Sequence, residues 1–176
     1  MLKKIFKIFL SLLFIIFLVN IHLLFINYFS FPFSNYNLII SILAIILMYS
    51  SGGKVVWYAF FTFFLLDLFS AFNFGIIFFS GTIATLFIYW FFKDLFSKQN
   101  IWSLILMVIL YVLVYNLIFL FVFYVLNNLF FLLEIKYINF FIRVFWEILI
   151  TSFITPLIYI FTDIFLKKIN KKYLIA

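Results

Sequence analysis

The chain has 176 residues, of which 70% are hydrophobic and 10% charged, and it carries a net charge of +7. A soluble domain has about 45–50% apolar and about 25% charged residues, and a small domain keeps much of its surface in water, so one buried core cannot absorb the surplus. There is no cysteine, which excludes disulfides, thiol nucleophiles and thiolate metal sites, and the basic residues are dispersed between apolar runs instead of forming a patch for nucleic acid.

The sequence predicts an all-α integral membrane protein with six transmembrane helices, because an apolar run of about 20 residues crosses the hydrocarbon core as a helix. The first run, 5–26, follows Lys3 and Lys4. It is too long for a signal peptide and lacks a small-x-small cleavage site, which predicts an uncleaved first span. Residues 27–37, with Pro32 and three Asn, form a polar loop. The second span is 32–50, with Pro32 in its first turn; its apolar part, 38–50, covers only about 20 Å, the weakest of the six. Ser51-Gly52-Gly53-Lys54 is a turn. The third and fourth spans are 55–72 and 75–92, joined by a tight connection at Asn73-Phe74. After the polar loop 93–100, the fifth span runs over 101–126. Residues 127–139 lie along the interface, and the sixth span is 140–166, closed by a basic tail over 167–172.

Six spans place both termini on one side. All but Lys136 and Arg143 of the 12 basic residues then face the cytoplasm, the asymmetry that membrane orientation demands; the tail reads first as a plain stop-transfer anchor, and the other reading is that it also lies against anionic lipid headgroups. The expected location is the plasma membrane, multi-pass, with both ends cytoplasmic.

Charged groups inside a span cost on the order of 2.5–3.5 kcal/mol by insertion scales, so each one needs a partner or a purpose. Asn20, Asp67 and Glu147 each fall about 9–10 Å below the outer end of their spans, and Asn116 is in the outer half of the fifth. The four are expected to share one polar layer. Arg143, Glu147, Thr151 and Thr155 recur every four residues and line one face of the sixth helix. Arg143 is expected to pair with Glu147 within the helix or with Asp67 across the bundle. Either these groups neutralise one another and set helix register, which is the preferred reading, or they form a buried ligand or proton site. Ser80, Gly81, Ala84 and Thr85 give small residues at four-residue spacing, a close-packing signal. Pro156 removes one backbone hydrogen bond and is expected to kink its helix, with Thr151 and Thr155 satisfying the freed carbonyls.

No catalytic constellation is visible. His22 has no second His or Cys nearby for a metal and reads as an interface residue, and Gly52-Gly53-Lys54 lacks the spacing and the preceding strand of a phosphate loop. No HExxH or GxSxG occurs. Neither a cofactor nor an enzymatic activity is expected.

Leu65-Leu66-Asp67-Leu68-Phe69-Ser70-Ala71-Phe72-Asn73-Phe74-Gly75 resembles the central motif of the bacterial rod shape-determining MreD family: an apolar run, Asp, two apolar residues, Ser, and Gly eight positions after the Asp. A Pro-containing loop before the second span, Met48-Tyr49-Ser50-Ser51-Gly52 ahead of a basic turn, and Thr155-Pro156 before a basic end agree in order. The resemblance covers residues 31–166. It implies a non-enzymatic membrane scaffold of lateral cell-wall synthesis that binds an MreC-like single-span protein, and a fold similar to the substrate-binding components of energy-coupling-factor vitamin transporters. Such a component is the alternative reading. Those proteins dock their partner through Ala-x3-Ala in the first helix, whereas 5–26 contains neither Ala nor Gly. The residues expected to carry buried polar and structural roles are therefore Asp67, Ser70, Gly75, Asn116, Arg143, Glu147, Thr155 and Pro156.

Overall fold

Where lipid is the solvent, backbone N–H and C=O groups are best paired within their own segment, and helices do this. The computed structural model describes residues 2–49, 53–95, 100–130 and 137–173, and these form helices with no strand among them. In chain order they are α1 (Leu2–Tyr28), α2 (Leu38–Tyr49), α3 (Lys54–Leu68), α4 (Ile76–Leu95), α5 (Ile101–Phe130) and α6 (Tyr137–Tyr173), with a short 3-10 turn over Phe33–Asn35. Three stretches, Phe9–Tyr28, Ile101–Leu126 and Ile138–Phe165, are long and apolar enough to cross a membrane, and Leu38–Tyr49 and Ile76–Phe92 are apolar but shorter.

α2 is the centre of the bundle. It packs against α1, α3, α5 and α6, while α3, α4, α5 and α6 pack in succession around it. Its sequence is apolar on every face, the pattern of a helix enclosed by others, and eight of its 12 residues are buried. The surrounding helices each bury one stripe at helical spacing: Ile15, Leu18, Val19 and His22 on α1, and Leu104, Met107, Val108, Tyr111 and Val112 on α5. Their opposite faces expose large apolar side chains such as Phe17, Trp90, Phe121 and Phe153. Ser41, Thr62, Ser80, Thr85 and Thr155 are nevertheless buried. Small and polar groups inside with bulky apolar groups outside is the arrangement of helices packed in lipid, where small residues permit close approach. Gly81 illustrates it: a Cβ there would stand 2.2 Å from the ring of Phe63 on α3. One turn on, Thr85 bonds the Tyr111 hydroxyl of α5.

Several element boundaries differ from the sequence expectation. Pro32 opens the 3-10 turn instead of α2, because Asn37 starts α2: its side-chain oxygen accepts the Ile40 amide at 3.1 Å. α3 ends at Leu68, short of the expected 72, because the Asp67 carbonyl is taken by the amide and hydroxyl of Ser70 at 3.1 and 2.9 Å. The connection to α4 is thus 69–75 and not a two-residue turn. α5 continues to Phe130 and α6 begins at Tyr137, so helix takes up both ends of the segment expected along the interface. Glu134, Lys136, Lys98 and the Ser51-Gly52 half of the expected turn lie outside the described residues. α6 continues through Pro156. The Thr155 hydroxyl lies 2.6 Å from the Thr151 carbonyl and not on the Ser152 carbonyl that Pro156 frees.

Candidate functional site

Two polar clusters form at the end of the bundle that holds Pro32 and Gly75. In the first, Asp67 is 3% exposed and sits at the last turn of α3. Its Oδ2 accepts the Gly75 amide at 2.5 Å, and its Oδ1 accepts the amides of Ile77 at 2.9 Å and Phe78 at 3.4 Å. These amides open α4 and have no partner within that helix, and a carboxylate is favoured at a helix N-terminus. Gly75, with no side chain to cap α4, holds a φ of 103°, a conformation that L side chains rarely adopt. Asp67, Ser70 and Gly75 therefore build one unit, in which Asp67 caps the following helix, Ser70 closes the preceding one and Gly75 makes the reversal.

The expected contact between Asp67 and Arg143 is not formed. Among the described residues the one ion pair is Lys167–Asp163, at 2.6 Å. Nor do the four groups assigned to one layer all meet. Asn20 is exposed and donates to the Ile16 carbonyl of its own helix at 2.8 Å, which satisfies it locally. Asp67 is committed to α4.

The second cluster joins α2, α5 and α6 at Glu147, which is 4% exposed. Its Oε1 accepts from Asn37 Nδ2 at 2.8 Å and its Oε2 from Asn116 Nδ2 at 3.1 Å. Below it on the same face of α6, Thr151 Oγ1 accepts the Asn37 amide at 3.2 Å, and Thr155 Oγ1 lies 2.8 Å from Ser41 Oγ. The four-residue ladder read from the sequence is thus a seam along the start of α2. Its top member differs: Arg143 is exposed and stands one turn beyond the seam. Asn37 meets both Glu147 and Thr151 of the seam and was missed from the sequence. An Asn immediately before an apolar helical run is a helix-start signal, and that was the signal available.

Above the seam is a cavity of about 400 Å³. Its polar lining includes His22 of α1, Asn35 of the 3-10 turn, Tyr115 and Asn116 of α5, and Arg143 and Glu147 of α6. Phe72, Phe119 and Phe140 form an aromatic wall, with ring centroids 5.3 Å apart for Phe72–Phe119 and 6.2 Å for Phe119–Phe140. His22 is 6% exposed, not the interface residue expected, because it ends the buried stripe of α1. Among the described residues, His22 Nδ1 and Asn35 Nδ2 are buried with no hydrogen-bond partner. Asn27, Phe69 and Arg143 are exposed at the mouth, whereas His22, Asn116 and Glu147 make the buried floor. Among the described residues no group of three His, Cys, Asp or Glu side chains is placed to hold a metal.

Comparison with protein-family models, curated proteins and solved structures finds no match to this chain.

Proposed function

We propose that the chain is a six-span membrane scaffold of the MreD type, acting without catalysis in lateral cell-wall synthesis. The observation that carries this reading is the Asp67–Gly75 unit. In an apolar sequence a short motif arises easily by chance, but here each of its polar and glycine positions has a separate task in one turn between two helices. A motif with geometric content supports a shared fold more strongly than one that is only a string of residues.

In this reading all six helices cross the bilayer, with a fold like that of energy-coupling-factor substrate-binding components. Exposed Trp57, Trp90 and Trp102 cluster at the Gly53 end, and exposed Tyr28 and Tyr124 lie near the other end, as aromatic residues do at the two membrane surfaces. Along α5, Trp102 and Tyr124 are about 33 Å apart at helical rise, close to the roughly 30 Å hydrocarbon thickness. Lys54 shares the Gly53 end, so the excess of basic residues assigns that end, with both termini, to the cytoplasm and opens the cavity outward. The partner is an MreC-like single-span protein, and through it the wall-synthesis complex.

The cavity favours the transport component as a second reading, since such a protein captures its ligand from outside. The absence of Ala and Gly from 5–26 weighs against it, because that helix then has no small-residue face for a transmembrane partner. Affinity purification of the tagged chain from native membranes separates the two. Recovery of a single-span coiled-coil protein supports the scaffold, and recovery of ATPase subunits in its place overturns it.

A further inference from the structure

We propose that the cavity between α1, α5 and α6 binds a small zwitterion with an apolar body, of the α-amino-acid type, whose carboxylate meets Arg143 and whose ammonium meets Glu147. The two side chains lie four residues apart on one helix, where Cβ atoms are about 5–6 Å apart, yet they form no ion pair. Arg143 has neither an ion pair nor a hydrogen bond among the described residues. Glu147 uses one acceptor position on each oxygen for Asn37 and Asn116. A carboxylate offers about four such positions, so it can still accept from an ammonium group. The spacing is one that the adjacent opposite charges of an α-amino acid bridge. A simple anion would bring its charge against Glu147 and a simple cation against Arg143, so the pair selects a ligand that carries both.

The rest of the lining agrees with this ligand. His22 and Asn35 line the cavity, and their Nδ1 and Nδ2 are buried without partners among the described residues; unpaired buried polar atoms are costly, so a ligand carboxylate toward which the Asn35 amide turns recovers part of that cost. Phe72, Phe119 and Phe140 offer a wall for an apolar side chain. The volume of about 400 Å³ lies within the usual range for small-molecule sites, about 300–1,000 Å³. The site does not depend on the scaffold role, which stands or falls on partner recovery.

The test uses the purified full chain in detergent micelles, with L-phenylalanine as probe and two single-charge analogues, phenethylamine and 3-phenylpropionate. Titration calorimetry should give a Kd for L-phenylalanine below about 1 mM, with each analogue at least about tenfold weaker. Arg143→Gln replaces an exposed side chain that forms no ion pair among the described residues, and should leave folding intact. It should weaken L-phenylalanine and 3-phenylpropionate by about tenfold or more and not weaken phenethylamine. The proposal is overturned if L-phenylalanine, L-leucine and L-methionine all fail to bind saturably up to about 10 mM. It is also overturned if the analogues match the amino acid, or if Arg143→Gln leaves its affinity unchanged.

Discussion

Asp67 directs both carboxylate oxygens at backbone amides, so its replacement exposes the start of α4 and not a partner charge. Charge-assisted hydrogen bonds contribute about 1.5–3 kcal/mol each, and leaving buried donors unpaired costs about 1–3 kcal/mol. Asp67→Ala is therefore expected to lower the thermal-unfolding midpoint in detergent sharply. Asp67→Asn should fall between Ala and the native chain, because one amide oxygen can still serve Ile77 while its NH2 faces the Gly75 amide. An Ala variant that unfolds at the native midpoint would remove the capping role. Gly81 tests close approach in the same way. A methyl group 2.2 Å from the Phe63 ring must displace a side chain that is 2% exposed, so Gly81→Ala should cost about 1–3 kcal/mol. Adding Phe63→Leu should return part of that loss, and a double-mutant cycle measures the coupling. Purely additive effects would show that the two residues do not press on each other.

At the scale of elements, the seam between α6 and the start of α2 depends on Asn37. It caps α2, donates to Glu147 and, through its amide, meets Thr151. Losing an N-cap costs about 0.5–2 kcal/mol, and the buried Glu147 oxygen left without its donor adds about 1–3 kcal/mol. Asn37→Ala is expected to destabilise the chain far more than Asn20→Ala, since the Asn20 side chain is exposed and bonds only its own helix. Urea or detergent unfolding of the two variants side by side checks this, and equal midpoints would mean that the seam contributes nothing. The length of α2 fits its position: 12 residues reach only about 18 Å, shorter than the hydrocarbon core, and a helix enclosed by four others needs no long lipid-facing surface.

For the whole molecule, the proposed orientation makes a direct topological prediction. Reporter fusions after Lys54, Lys98 and Ala176 should report cytoplasm, and fusions near Asn35 and Lys136 should report the outside. Termini that map to opposite sides would remove the six-span arrangement, with α2 and the 15-residue α3 the first places to look. The same orientation decides which compartment supplies a cavity ligand.

An apolar fraction of 70% determines helical segments and a lipid environment, because only internally paired backbone is tolerated there and little water-facing surface can be made from such residues. Small residues at four-residue spacing identified the tight face of α4, and the ladder on α6 could be read from its period alone. Partners could not be read in this way. Hydrophobic periodicity is weak in a chain that is apolar on its lipid face as well as inside, so which stripe turns inward is decided by which helix lies opposite. Asp67, Asn20, Asn116 and Glu147 looked alike as polar groups at similar depth. Tertiary structure sent Asp67 to the amides of α4 across a reversal at Gly75, left Asn20 bonded to its own helix, and joined Asn116 directly to Glu147 beside the start of the enclosed α2. Arg143 and Glu147 share a helix face in the sequence, but only the packing of α2 against the lower part of that face separates a buried, hydrogen-bonded carboxylate from an exposed guanidinium at the cavity mouth.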